Sequence, residues 1–253
     1  MKVSFVTGGA TGIGRAAVEK LIKEGIAVAF IDNNREESEK LVSNYSDKQI
    51  LFIEGDVNNL NNLNRAVQLT HQKYGRIDNV FANAGIHRSN SIFNITEEEW
   101  DLVLNTNLKS MVFTVKSCIP FINEQNKGSV VLMGSDQSII GKSNNLAYGA
   151  SKGAIAQITK SLALDLAEKN INVNTICPGT ILTPLTKKNI KRWADEVFNG
   201  DVDEATKAES ERFPVKRLGA PEEVADLVYF LAFKAGTFLT GTIISIDGGV
   251  TAN

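Results

Sequence analysis

Val3-Ser4-Phe5-Val6-Thr7-Gly8-Gly9-Ala10-Thr11-Gly12-Ile13-Gly14 is a short apolar run that breaks at once into glycines, after which Ala17, Val18, Leu21 and Ile22 recur at helical spacing. Strand, glycine turn and helix in that order is the setting in which a glycine motif carries meaning. The backbone can come close to a pyrophosphate, and the first helical turn offers it free N–H groups and a partial positive charge. Gly8, Thr11, Gly12, Ile13 and Gly14 are therefore candidate nucleotide contacts. The spacing Gly-x-x-x-Gly-x-Gly is not the common Gly-x-Gly-x-x-Gly fingerprint, and a tight strand-to-helix turn needs glycine on steric grounds alone.

The same unit repeats down the chain. Ile26 to Ile31 reads as a second strand with Asp32 at its C-terminal end, Ile50 to Glu54 as a third ending in Gly55-Asp56-Val57, and Ile77 to Phe81 as a fourth closed by Asn83-Ala84-Gly85. Leu60 to Tyr74 is an amphipathic helix between the last two. Strands that alternate with helices predict a parallel sheet covered on both faces, its order reversing between the first and fourth strands. Gly12, Asp32, Asp56 and Asn83 would then converge at the crevice where the order reverses. Further strands at Gly128 to Met133, Ile171 to Cys177 and Thr242 to Ile246 complete the expected fold class: α/β, one Rossmann-type doubly wound sheet of seven strands. A carboxylate at Asp32 suits the two ribose hydroxyls of NAD and repels the 2′-phosphate of NADP, although Arg35 lies close in sequence. An Asp that only caps the helix beginning near Arg35 would occupy the same position.

A second stretch, Tyr148-Gly149-Ala150-Ser151-Lys152, opens a run of helix formers from Leu146 to Asn170, thirteen positions after Ser135. Four residues apart on a helix, the phenol and the ammonium point the same way. A positive charge about 5 Å away at an effective dielectric of about 20 contributes roughly 3 kcal/mol. That predicts a phenol lowered by about two pKa units, able to exchange a proton with an alcohol or carbonyl.

Thr7-Gly8-x-x-x-Gly12-Ile13-Gly14, Asn83-Ala84-Gly85, Ser135 and Tyr148-x-x-x-Lys152 together resemble the short-chain dehydrogenase/reductase family of nicotinamide oxidoreductases, over essentially the whole chain. The resemblance implies that Tyr148 is the acid/base, that Lys152 lowers its pKa and holds the nicotinamide ribose, and that Ser135 orients the substrate oxygen. It implies that an asparagine interrupts the hydrogen bonding of the helix running from Thr96 to about Ile122 and holds a water linking the lysine to solvent; Asn107 matches better than Asn105. It also implies that Pro178-Gly179-Thr180-Ile181-Leu182-Thr183 folds over the nicotinamide, held by the amide of Ile181 and the hydroxyl of Thr183. Turn chemistry alone would explain Pro178 and Gly179. Family members commonly form tetramers, so a homotetramer or homodimer is expected. One departure stands out: many relatives carry a second serine where this chain has Gly134.

Ile190, Trp193, Ala194, Val197 and Phe198 are spaced for one helical face and Val202 to Phe213 suggests a second short helix, so residues 183–213 are expected to form a small helical lid closing its apolar face on the substrate. Gln137 and Asn145, in the loop from Asp136 to Asn145, are substrate candidates beside Ser135 and Tyr148. His87 and Arg88 are placed to meet an anionic group or to be solvated loop residues.

Composition narrows the alternatives. The 253 residues are 43% hydrophobic and 22% charged, with a net charge of −2 and no basic block, which argues against a nucleic-acid partner. The two cysteines, Cys118 and Cys177, have no metal-ligand spacing to each other or to His71 and His87, so no metal site is expected and both read as small hydrophobes. No apolar run is long enough to span a bilayer, and a strand beginning at Val3 leaves no room for a signal peptide, so a cytoplasmic protein is expected. The reading is one domain that oxidises a secondary alcohol or reduces a ketone with NAD. The alternatives are an NADPH-dependent 3-oxoacyl-[acyl-carrier-protein] reductase and a non-catalytic nucleotide sensor on the same fold.

Overall fold

The computed structural model describes residues 1–122 and 127–252. Seven strands form one parallel sheet: β1 (Val3–Thr7), β2 (Ala27–Asp32), β3 (Ile50–Glu54), β4 (Asn79–Ala82), β5 (Gly128–Met133), β6 (Ile171–Pro178) and β7 (Ile243–Ile246), in the order β3-β2-β1-β4-β5-β6-β7. The order reverses between β1 and β4, as the alternation of strands and helices predicts. β1, β4, β5 and β6 are buried along their whole length. Apolar residues therefore fall on both faces of β1, β4 and β5, while β6 also buries Asn172, Asn174 and Thr175.

The helices are α1 (Gly12–Lys23), α2 (Arg35–Val42), α3 (Leu60–Tyr74), α4 (Glu97–Leu104), α5 (Ser110–Cys118), α6 (Leu146–Leu166), α7 (Pro184–Val197), α8 (Val202–Glu211) and α9 (Pro221–Tyr229). α1 packs on α9, while α3 packs on α5 and α4 on α6. Phe5, Phe30, Phe81, Leu21, Leu63 and Ile155 lie fully buried between these layers and the sheet. Truncating one of the phenylalanines to alanine would cost roughly 3–5 kcal/mol.

Several boundaries differ from the expectation by one or more residues. β4 begins at Asn79, because Ile77 pairs instead with Ile122 and the carboxylate of Asp78 takes the Val3 N–H at 2.8 Å. The run expected to be helical to Asn170 leaves α geometry after Leu166, passes through a 3₁₀ turn and ends at Asn170 with φ 56°. The helix from Thr96 is broken by five π-helical residues, Asn105–Lys109, between α4 and α5. Thr96 accepts the Glu99 N–H at 3.2 Å as the expected cap.

Candidate active site

The C-terminal ends of β1, β2, β4, β5 and β6 open into a cleft of about 1590 Å³ whose wall includes every sequence-predicted site residue except Asn107. Asn107 lies directly behind that wall, fully buried.

At the nucleotide end, the turn after β1 needs its glycines. Gly8 and Gly12 sit at φ 69° and 55°, and a β-carbon on Gly14 would lie 1.8 Å from the carbonyl oxygen of Gly8. Thr11 precedes α1 without a side-chain cap, which leaves the first N–H groups of the helix for another acceptor. Thr7, which opens the motif but was given no role in it, holds the turn to the segment after β4: its Oγ1 accepts the backbone N–H groups of Asn83 and Ala84, both at 3.0 Å. The Asn83 amide returns to the carbonyls of Thr7 and Gly8 at 3.1 and 3.0 Å. Asp32 is not a helix cap. Asn34 caps α2 through the Glu37 N–H, while Asp32 accepts the N–H groups of Ala10 and Asn34 at 2.9 and 2.8 Å. Arg35, the cation nearest in sequence, is paired with Glu39 and Glu54, and Arg15 with Glu19 and Glu37. Asp56 bonds the N–H of Asn58 at 2.9 Å and, with Val57, lines the cleft beside Asp32. A glycine turn, uncapped N–H groups and a carboxylate lining the cleft fit a dinucleotide.

At the reactive end, Tyr148 and Lys152 do share a face of α6: the Lys152 ammonium lies 5.5 Å from the centre of the Tyr148 ring. The expected lowering of the phenol is not found. Burial pushes Tyr148 up to about 12 against the opposing effect of its hydrogen bond with Ser135, and burial pushes Lys152 down to about 8. The charge attraction alone leaves out the cost of burial: Lys152 is only 3% exposed and donates to the carbonyl of Met133 at 2.7 Å. Desolvation penalises the charged form of each, raising the phenol and lowering the ammonium.

Ser135 is held on three sides. Its hydroxyl donates to Asp136 at 2.9 Å and accepts the Gln137 N–H at 3.2 Å, and its own N–H donates to Ser138 at 3.2 Å. Ser138 in turn donates to the carbonyl of Lys152 at 2.8 Å, tying the loop to α6. The Gly134 departure has a steric cause: a β-carbon there would lie 2.7 Å from Thr175 Cγ2 and 2.8 Å from Cys177 Sγ, so no serine fits without a shift. Burial raises the Cys177 thiol, and neither cysteine is bonded to the other.

Asn107 rather than Asn105 is the buried one, inside the π-helical break. Its amide donates to the Ile86 carbonyl at 2.9 Å and to Ser151 at 3.2 Å, and its oxygen accepts the Ile86 N–H at 2.8 Å. It thus joins the Asn83-Ala84-Gly85 segment to α6 through the residue next to Lys152. His87 follows on that segment, its ring edge-on to Tyr148 with centres 4.8 Å apart and its Nε2 2.5 Å from Asn145 Oδ1.

After β6, Gly179 abuts Phe213 and Asp247, where a β-carbon would come within 2.8 Å of the Phe213 ring. Ile181 bridges Gly219, and Thr183 lies over the glycine turn, its side chain 3.3 Å from a β-carbon placed on Gly12. The Thr183 hydroxyl expected to face the nicotinamide accepts the Thr186 N–H at 3.2 Å and so caps α7. The apolar face of α7 is divided. Ile190 and Ala194 pack on Ala205 with Trp193, Phe198 and Leu218, Ile190 and Trp193 also line the cleft, and Val197 is 60% exposed rather than turned inward.

A parallel sheet whose order reverses at a glycine turn, with Ser135, Tyr148 and Lys152 meeting at its open end, defines a dinucleotide-dependent oxidoreductase by arrangement. Comparison with known proteins agrees. A family model described as enoyl-(acyl carrier protein) reductase matches residues 8–251. The 3-oxoacyl-[acyl-carrier-protein] reductase FabG of Thermotoga maritima is 35% identical over 98% of this chain and 97% of its own length. Among solved structures, a short-chain dehydrogenase family protein from Francisella tularensis is 39% identical, with a TM-score of 0.90 and full coverage of both chains. A variant of actinorhodin polyketide ketoreductase solved with NADPH is 26% identical, with a TM-score of 0.93 over 100% of this chain and 98% of that one. The chain belongs to the short-chain dehydrogenase/reductase family, oxidoreductases that act on CH–OH or keto groups with a nicotinamide nucleotide. Among the described residues no helix is long and apolar enough to cross a membrane.

Proposed function

We propose that this protein interconverts a secondary alcohol and a ketone with NAD as cofactor. The observation that carries the reading is the meeting of Tyr148, Ser135 and the buried ammonium of Lys152 in the cleft that also holds the glycine turn. Bound there, the nicotinamide nucleotide would supply or accept the hydride. Tyr148 gives its proton to the substrate oxygen as the carbonyl is reduced, and takes it back in the reverse direction. Burial favours the neutral phenol, the form needed for reduction. Ser135 positions the same oxygen, Lys152 holds the ribose, and Asn107 fixes the segment that carries Ala84 and Gly85. The helices α7 and α8 serve as the substrate lid.

NAD is favoured over NADP because Asp32 lines the cleft while Arg15 and Arg35, the cations around it, are taken up by Glu19, Glu37, Glu39 and Glu54. An uncompensated carboxylate repels a 2′-phosphate. A second reading, NADPH-dependent reduction of a 3-oxoacyl thioester on a carrier protein, draws support from the Thermotoga relative. Titration with NADH and NADPH separates the two: tighter binding of NADPH would sink the NAD reading. Tyr148→Phe is expected to keep nucleotide affinity within about twofold while losing at least ~100-fold in turnover, the range of general acid–base catalysis. Comparable turnover would remove Tyr148 from the chemistry.

A further inference from the structure

Five acids and five cations line the cleft, but Arg88, Lys142 and Arg192 are the ones that act on His87, the ring that meets Tyr148. Arg88 reaches the cleft from the loop after β4, Lys142 from the loop after β5 and Arg192 from α7. Lys142 is already engaged, its ammonium 2.5 Å from the buried carboxylate of Asp136. Arg192 meets an acid, Glu196, only at 3.9 Å, with the two side chains 55% and 63% exposed. Arg88 has no acidic partner among the described residues. Two guanidinium groups, one on the loop after β4 and one on α7, are thus left without a close counterion in the lining of the cleft.

Their influence reaches the chemistry. His87, whose ring meets that of Tyr148, is held below its ordinary pKa by burial, against the hydrogen bond to Asn145. Arg192, Lys142 and Arg88 push it further the same way, and no acid acts in the opposite sense. The wall beside it is polar: Gln137 is only 8% exposed with its Oε1 unpartnered, and His87 Nδ1 is likewise buried without a partner. Guanidinium forks match carboxylate and phosphate oxygens in pairs.

We propose that the substrate is an acid, a hydroxy or oxo compound whose carboxylate or phosphate group is taken up by Arg88 and Arg192 while its carbinol carbon lies against Tyr148. This rests on the oxidoreductase reading above. In oxidation the carbinol C–H leaves as hydride to the oxidised nicotinamide nucleotide and the O–H proton leaves through Tyr148 to solvent. The anionic group is unchanged.

The test compares alcohols that differ only in charge: 2-butanol with 3-hydroxybutyrate, and sorbitol with gluconate and sorbitol 6-phosphate. Oxidation with NAD is followed at the nicotinamide absorbance. The acidic members are expected to exceed their neutral partners at least ~10-fold in kcat/KM, with gluconate against sorbitol 6-phosphate deciding between carboxylate and phosphate. Arg88→Gln and Arg192→Gln, both at exposed positions, should each lower the acidic rates roughly 10-fold and collapse the preference, the range for a charge-assisted hydrogen bond. Neutral members used as well as acidic ones, or a preference unchanged in both variants, overturns the proposal. Calorimetry with the NAD-loaded protein separates the two levels of failure. If no alcohol is oxidised the oxidoreductase reading fails, and the charge assignment is then decided by binding. At least ~10-fold tighter binding of the acids, lost in the double variant, supports it, and equal binding overturns it.

Discussion

Replacing Lys152 with methionine tests the electrostatics of the site without reference to any substrate. Burial holds the ammonium at about 8, against 10.5 for an ordinary lysine. Carrying the charge in the folded chain at neutral pH therefore costs about 3 kcal/mol. Lys152→Met removes that cost and fills nearly the same volume, but it deprives the Met133 carbonyl of the donor now 2.7 Å away, a loss of about 1–3 kcal/mol. The two effects offset, so the variant is expected to be as stable as the parent at pH 7 or up to about 2 kcal/mol more stable, while turnover is lost. The pH dependence gives the sharper reading. Between the folded value of about 8 and the unfolded value of 10.5, the unfolded chain binds the extra proton, so the contribution of Lys152 to stability rises with pH through that window. The phenols of Tyr148 and Tyr74, both raised by burial to about 12, work the other way above their unfolded values, but the two proteins share them and they cancel in the comparison. Urea unfolding followed by circular dichroism at pH 7 and pH 10.5 should therefore show the parent gaining about 3 kcal/mol relative to the variant. A variant more than about 2 kcal/mol less stable at pH 7, or a difference that does not move with pH, would refute the claim that desolvation dominates Lys152.

Two further substitutions probe the nucleotide wall. Gly14→Ala places a β-carbon 1.8 Å from the Gly8 carbonyl and 2.7 Å from the Asn83 amide, so the turn must move; a loss of about 2–4 kcal/mol in urea unfolding and at least ~10-fold in NAD affinity by calorimetry is expected. Gly153→Ala, on the exposed side of α6 with nothing within 4 Å, is the control and should stabilise by about 0.5–1 kcal/mol. Asn107→Ala leaves the Ile86 N–H and carbonyl without partners, which predicts a loss of about 2–4 kcal/mol and a clear fall in Tm by calorimetry; an unchanged Tm would mean that Asn107 does not hold that segment.

The sheet was legible because its strands are covered on both faces, so Val3–Thr7 and Gly128–Met133 appear as mainly apolar runs that each end at a glycine, Gly8 and Gly134. The turn after β1 was legible because only glycine tolerates both the positive φ of Gly8 and Gly12 and the close approach at Gly14. The shared face of Tyr148 and Lys152 followed from helical spacing alone. Their protonation did not, because the sign of a pKa shift depends on how much water is excluded, and nothing in five consecutive residues reports that the neighbouring strand ends bury them. The partners of Asn107, Thr7 and Asp136 escaped for a related reason. Thr7 lies 76 residues from Asn83, and Asn107 21 residues from Ile86. Lys142 is only six residues from Asp136, but a loop has no periodicity from which to infer that the two side chains meet. The neutralisation of Arg35 by Glu39 was readable as a helical pair four residues apart, whereas Glu54 comes from another strand.

The end of β5 does more for this site than any motif suggests. Met133, its last residue, pairs in register with Ile176 of β6, and the next N–H, from Gly134, donates to the Ile176 carbonyl at 2.8 Å. Met133 thereby presents its own carbonyl to Lys152, and two residues on the same backbone delivers the hydroxyl of Ser135 to Tyr148. One strand end sets both the acceptor that keeps the ammonium in a dry environment and the group that meets the phenol. A slip of one residue between β5 and β6 would turn side chains to the opposite face and carry Ser135 out of reach. A side chain at Gly134 would press on that pairing, since its β-carbon would meet Thr175, Cys177 and the Ile176 carbonyl at 2.7 to 2.9 Å. The pairing that ends β5 at Met133 thus places the acceptor of Lys152 and the hydroxyl that meets Tyr148, while α6 sets the spacing of Tyr148 and Lys152 along one helical face.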